Sequence, residues 1–337
     1  MQLNYNKSSW AILGFIRFLM AFIVLISHLP VFTALPGPLQ LGISLVGKAA
    51  VVGFLIISGL SIGISYRRNS SGFFLRRFLR IYPLYFFAVL FTIVLQQFLG
   101  SPYEIPGQRM VAASAFTNIA NFFFMQSFGV ITITYNGPLW TLAVEVFFYL
   151  LTPLLFKLKS YVLIILIALS MVVYTFYGGA WFWGNAALQY AWPWLTGFLV
   201  AVKSESKWLS WGLMAVGVGV AYNRLVELGE PLSFVTVAVV PLMVFLVNNG
   251  RFMLSDTMLS VMNFLAELSY PLYLFHLPMY LLLHYLGVGN AYLYCGLLLI
   301  LIIPMNYLLD HWLRRVFWKP LVMNRLRPGM NTNLQTS

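Results

Sequence analysis

The sequence predicts an all-α polytopic transmembrane helix bundle of about ten spans, and three observations predict it. Of 337 residues, 61% are hydrophobic and only 8% are charged, where a soluble domain carries about 25%. Mean hydropathy is +0.85. Apolar stretches of about 20 residues, the length that crosses a bilayer as helix, recur from one end to the other. So little charge cannot cover a water-facing surface, which excludes secreted, nucleic-acid-binding and disulfide-stapled classes. Cys295, the single cysteine, sits in an apolar run, can form no internal disulfide and belongs to no metal-ligand cluster, so no metal is expected.

The expected spans are 10–29, 43–65, 81–99, 138–156, 161–177, 187–202, 208–223, 232–248, 269–286 and 291–309. The first is too long for a cleaved signal peptide, and Pro30 follows where small residues would be needed, so it reads as an anchor. In the second, Ser58-Gly59 and the glycines at 53 and 63 permit close helix packing. The third follows the basic run Arg76 to Arg80. After it comes the longest stretch without a span, 100–137. Its apolar middle, Met110 to Phe128, is interrupted by Asn118, Asn121 and Gln126, and reads as a re-entrant or interfacial helix capping an outer cavity. The fourth span carries Glu145 and the ninth carries Ser269, Tyr273 and His276. Residues 1–320 read as one transmembrane domain and 321–337 as a short cytoplasmic tail.

The net charge of +12 reflects basic loops on the cytoplasmic side. With the amino terminus inside, Lys7, the arginines from Arg67 to Arg80, Lys157, Lys159, Lys203, Lys207, Arg251 and the basic residues from Arg314 to Arg327 are cytoplasmic, while Arg109 and Arg224 fall outside. Both termini are then cytoplasmic, and the sequons at Asn6 and Asn69 lie inside, where no glycan is added.

An ionisable side chain within hydrocarbon is costly, so the few here are functional candidates. Arg17 and His28 are eleven residues apart, about 1100° of helical rotation, and so share one face with a rise of about 16 Å. They form a functional stripe, or else a snorkelling Arg and an interfacial His. Arg76, Arg77 and Arg80 stand at i, i+3 and i+4 spacings as a guanidinium cluster, suited to phosphate or to anionic lipid. Glu145, the one acid placed inside hydrocarbon, needs a cation or a proton, and Arg17 or His28 lie nearest by depth. It is a reacting group or half of a helix-joining clamp. Ser269, Tyr273 and His276 form a polar line on an apolar helix, which lines a substrate path or satisfies its own hydrogen bonds. His284 and His311 read as interfacial. The sequence lacks Walker, HExxH, GxSxG and Rossmann patterns.

Taken together, these segments resemble the acyltransferase 3 family of integral membrane acyltransferases. The resemblance rests on Arg17 with His28 at an Arg-x10-His spacing, Phe54 to Gly59 as Phe-x-x-x-Ser-Gly, and Arg76 to Tyr85 as Arg-Arg-x-x-Arg-Ile-x-Pro-x-Tyr. Leu139-Trp140-Thr141-Leu142-Ala143-Val144-Glu145 with Phe148, Tyr149 and Pro153, and Ser269 to Pro278, look like two further family motifs. The order and spacing run through about the whole chain. Phe18, Val52 and Val146 depart from the pattern, standing where the family usually has Gly, an acid and an acid.

The resemblance implies transfer of an acyl group, with acetyl expected, from acyl-CoA in the cytoplasm to a hydroxyl of a surface or extracytoplasmic glycan or lipid-linked sugar. Acetyl-CoA is then a co-substrate rather than a permanently bound cofactor. On this reading Arg76, Arg77 and Arg80 hold CoA phosphates, and Arg17, His28 and Glu145 are catalytic, with His28 the general base. Trp140, Tyr273 and His276 line the substrate path. The expected setting is a bacterial cytoplasmic membrane, with lipid, acyl-CoA and a carbohydrate acceptor as partners and no nucleic acid. Whether an acyl-enzyme forms stays open. The alternative is a carrier or flippase for a small organic anion or lipid-linked sugar, which would favour paired broken helices in two repeats, and no such repeat is visible.

Overall fold

The computed structural model describes residues 5–37, 47–177, 186–203, 207–227, 233–247, 251–312 and 316. The tail expected at 321–337 lies outside the described residues. The chain forms α1 (Lys7–His28), α2 (Gly47–Arg68), α3 (Phe73–Leu99), the short strands β1 (Tyr103–Ile105) and β2 (Gln108–Met110), and α4 (Ala115–Phe122). It continues through α5 (Trp140–Lys157), α6 (Ser160–Tyr177), α7 (Ala191–Val202), α8 (Lys207–Glu227), α9 (Ser233–Val247), α10 (Asp256–Tyr285) and α11 (Ala291–Met305). Each expected span falls on one of these helices, and the molecule is the predicted all-α bundle. Seven described helical segments are long and apolar enough to cross a membrane, while α7 and the apolar part of α9 are shorter. Burial sorts them: 78% of the apolar window of α2 is inside the molecule, against 28% for α6 and α11, which form the rim.

Two sets of helices surround the centre. In the first, α1 and α10 run parallel in contact along their length. The Leu254 amide donates to Ser8 Oγ at 3.0 Å, a Cβ placed on Gly14 would sit 2.7 Å from that of Ala266, and Tyr280 donates to the Leu25 carbonyl at 3.4 Å. α3 runs alongside in the same sense, since Tyr270 donates to the Ile81 carbonyl at 2.9 Å and Phe98 meets Tyr285 at 5.1 Å between rings. In the second set, α2 runs with α5, through Ser58 and Tyr149 at 3.3 Å and Tyr66 and Phe156 at 5.1 Å. α2 also runs with α7, where a Cβ on Gly59 would collide with the Trp194 carbonyl and one on Gly197 with the Ile56 carbonyl. Lipid gives helices no hydrophobic reason to associate, so such glycines supply the close backbone approach that dispersion requires. Arg67 closes this pair by donating to the Ala201 carbonyl at 3.1 Å, near the carboxyl end of α7.

Two expectations need correction. The ninth span begins much earlier than 269, because the Ser255 hydroxyl accepts from the Met258 amide at 3.3 Å and starts α10 at Asp256. The segment 110–128 is not a single helix and lines no part of the central cavity described below. It holds the end of a hairpin turned at Gly107 (φ +73°), then α4, eight residues long and capped by Ser114. Its amides decide its place. The Asn121 main-chain carbonyl accepts from Tyr85 at 2.5 Å, and the Gln126 side-chain amide donates to Tyr85 Oη at 2.7 Å and to the Leu139 carbonyl at 3.1 Å. These bonds fasten the segment to α3 and turn Phe116, Ile119 and Phe123 outward. Next to it, Asn136 is buried and leaves the helical range (φ −151°, ψ 59°). It donates to Thr92 at 3.1 Å and to the Leu274 carbonyl at 3.0 Å, which fixes where α5 begins against α3 and α10.

Candidate active site

A cavity of about 390 Å³ opens between the two helix sets. Its size falls in the range of small-molecule sites, about 300–1,000 Å³. α1 contributes Arg17, α2 Phe54 and Ser58, α3 Arg77 and Arg80, α5 Thr141, Glu145 and Tyr149, and α10 Glu267, Ser269 and Tyr273. Arg80 and Glu267 are exposed, whereas Ser58, Thr141, Tyr149 and Tyr273 are buried, so the cavity runs inward from an arginine-marked mouth. At the deep end Thr141 and Tyr273 share a hydrogen bond of 2.7 Å, and the Tyr273 hydroxyl also reaches the Pro138 carbonyl at 3.0 Å. Phe54 packs edge-on against the Tyr273 ring at 5.5 Å.

The expected partnership of Arg17 with Glu145 takes another form. Both face the cavity, but among the described residues the one ion pair is Arg109 with Glu104 at 3.3 Å, on the exposed hairpin. Glu145 instead accepts from Tyr149, one helical turn along, at 3.1 Å, and Ser58 stands 3.3 Å behind that hydroxyl. The guanidinium and carboxylate therefore both flank the cavity without a direct ion-pair contact. Arg17 Nε is buried and has no hydrogen-bond partner, as is Arg77 Nε, although Arg77 Nη2 donates to Ser65 Oγ at 2.6 Å. A buried donor left unmade is costly, which suits a ligand that carries anionic or carbonyl oxygen.

The predicted residues separate. Arg17, Arg77, Arg80, Glu145 and Tyr273 meet at the cavity; Arg76, His28, His276 and Trp140 do not line it. Arg76 donates to the carbonyls of Asn69 and Ser71 and holds the loop between α2 and α3. Trp140 lies against Tyr190, 5.0 Å between rings. His28 and His276 lie beyond the Tyr273 layer, His276 being 5.9 Å from the Tyr273 ring and 5.1 Å from His28. His28 Nδ1 is 2.8 Å from the Val24 carbonyl, so it carries the proton and leaves Nε2 basic. Glu267, Ser58 and Tyr149 are cavity residues to which sequence reasoning gave no chemical role. Tyr149 was legible as the i+4 neighbour of Glu145, whereas Glu267, two residues before Ser269 and so about 200° around the helix from it, lies off the Ser269–Tyr273–His276 line.

No significant match was found among curated proteins or among solved structures. The sequence model of the acyltransferase 3 family, described as an acyltransferase domain, matches residues 10–310. That range runs from the first turn of α1 past the end of α11 and takes in every residue of the cavity, so the chain belongs to this family and is a membrane acyltransferase.

Proposed function

We propose that the chain takes an acetyl group from acetyl-CoA at the arginine-marked end, on the cytoplasmic side, and transfers it to a hydroxyl of a glycan or lipid-linked sugar. The observation that carries this reading is the central cavity, which three guanidinium groups line, two of them with buried unpartnered Nε atoms. Arg77 and Arg80 take the CoA phosphates there, since a guanidinium fork binds phosphate oxygens bidentately and stays charged when partly buried. Arg17, deeper on α1, donates to carbonyl oxygen of the acyl-pantetheine arm. Glu145, held by Tyr149, orients that arm through its amide N–H groups.

His28 Nε2 takes the proton of the acceptor hydroxyl as its oxygen bonds to the thioester carbonyl carbon. The carbon–sulfur bond then breaks, and the CoA thiolate leaves and collects a proton. The Thr141–Tyr273 layer stands between cavity and His28, so transfer requires the Tyr273 side chain to swing aside. The test is the purified full chain in vesicles made from the total lipid of the producing cells, supplied with acetyl-CoA labelled in the acetyl group. Label appearing in lipid-linked or free saccharide, with one thiol released per acetyl transferred, is the expected result. Uptake of a labelled anion without thiol release would replace the reading with that of a carrier.

A further inference from the structure

His276 is the buried titratable group that the scheme above leaves unused. It is fully buried on α10, and its Nδ1 is 2.8 Å from the Tyr273 carbonyl, which fixes the proton on that nitrogen. Its Nε2 is buried with no hydrogen-bond partner. The rings of Tyr273 and Tyr280 hold the imidazole, at 5.9 and 6.3 Å between centroids, and the His28 ring lies 5.1 Å away at 54°. Both histidines thus bind main-chain carbonyl through Nδ1 and keep a lone pair on Nε2, and their rings are direct neighbours, 5.1 Å between centroids, so a small rotation of either ring turns one Nε2 toward the other. Among the described residues no group of three or more His, Cys, Asp and Glu gathers anywhere, so the pair offers nitrogen to a proton rather than a ligand set to a metal.

We infer that His276 is a positioning residue for His28: its unpartnered Nε2 accepts a hydrogen bond from the Nε2–H that His28 gains during transfer. This rests on acyl transfer with His28 as base. The acceptor O–H bond breaks toward His28 Nε2, the new oxygen–carbon bond forms, and the carbon–sulfur bond breaks. The proton stays on His28, held by His276, until the CoA thiolate removes it. In a bundle interior where an imidazolium meets little water, that acceptor lowers the barrier to the charged form without touching the donor.

The test uses thiol release from acetyl-CoA by the full chain in the same lipid vesicles, comparing His276→Asn, His276→Gln and His28→Ala. Asn keeps an amide near the Nδ1 position, whereas Gln places an amide oxygen near Nε2. The inference expects kcat to fall at least tenfold in His276→Asn with KM for acetyl-CoA unchanged, and a substantial part of that loss to be recovered in His276→Gln. Equal loss in the two variants at equal protein level, or a loss confined to KM, overturns it. Should either variant fail to accumulate, His276→Tyr and His276→Phe, which differ only by a hydroxyl, repeat the comparison, and equal kcat in those two is again a refutation. If His28→Ala keeps full activity, the reading of His28 as base fails; if His28→Ala is inactive and His276→Asn is as fast as the unaltered chain, only the inference about His276 fails.

Discussion

Arg76, Arg77 and Arg80 are neighbours in sequence, yet the structure gives them different work. Arg77 and Arg80 line the cavity, while Arg76 is spent on the carbonyls of Asn69 and Ser71. Replacing both Arg77 and Arg80 with Gln should raise KM for acetyl-CoA by about tenfold or more, because each charge-assisted hydrogen bond is worth roughly 1.5–3 kcal/mol and 1.4 kcal/mol is a factor of ten. Arg76→Gln should leave KM within about twofold and act on stability alone, as a surface hydrogen-bond loss of about 1 kcal/mol. Initial-rate kinetics on the three proteins separates these outcomes, and a KM that rises equally for Arg76→Gln would return all three to one role. Helical spacing could place the three on adjoining faces but could not say which guanidinium a loop carbonyl would capture. Arg17 and Glu145 were legible because charge is rare in apolar spans. Their separation by the cavity was not, since equal depth is all that sequence gives, and Tyr149 takes the carboxylate by a contact within α5.

At the scale of helices, hydropathy located the apolar cores but not the ends that capping and amides decide. α10 extends to Asp256 through turns where Asp256, Asn263 and Glu267 interrupt the apolar run, and its start is set by one serine hydroxyl. α4 stops after eight residues where Asn121 donates to the Ile131 carbonyl of the following loop and Gln126 donates to Tyr85 on α3 and to the Leu139 carbonyl just before α5. The α2–α7 contact was legible in part, since Gly59 and Gly63 mark a close-packing face, although Gly197 as their counterpart was not foreseen. That contact carries a sharp expectation. Gly59→Ala must displace the Trp194 carbonyl, an overpacking that costs about 1–3 kcal/mol, and because Ser58 is the adjacent cavity residue it should also lower acetyl transfer. Gly219→Ala meets nothing within 4 Å and should be neutral or slightly stabilising. Thermal unfolding in detergent checks both; equal melting temperatures would show that α2 and α7 do not approach through glycine.

Across the whole molecule, the parallel set α1, α3 and α10 and the opposed set α2, α5 and α7 bring the basic residues to one end. Lys7, Arg67, Arg77, Arg80 and Lys157 gather where α1 and α3 start and α2 and α5 stop, and the cavity mouth lies there too. The loop carrying Ser70 belongs to this end, between α2 and α3. Ser101, after α3, belongs to the other. Positive loops stay in the cytoplasm during insertion, so the arginine end is expected inside, facing the compartment that holds acetyl-CoA. In a Cys295→Ala background, which removes the single native thiol, Ser101→Cys in intact cells should react with a membrane-impermeant maleimide, and Ser70→Cys should react only after the membrane is opened or inverted. Both serines are exposed, so failure to label cannot be put down to burial. Labelling of Ser70→Cys from outside would invert the bundle, place the arginine mouth away from cytoplasmic acyl-CoA and remove the reason for assigning phosphate to Arg77 and Arg80. Labelling of both positions from one face would contradict the passage of α3 across the bilayer, and with it the separation between a donor mouth at Arg80 and an acceptor side at His28.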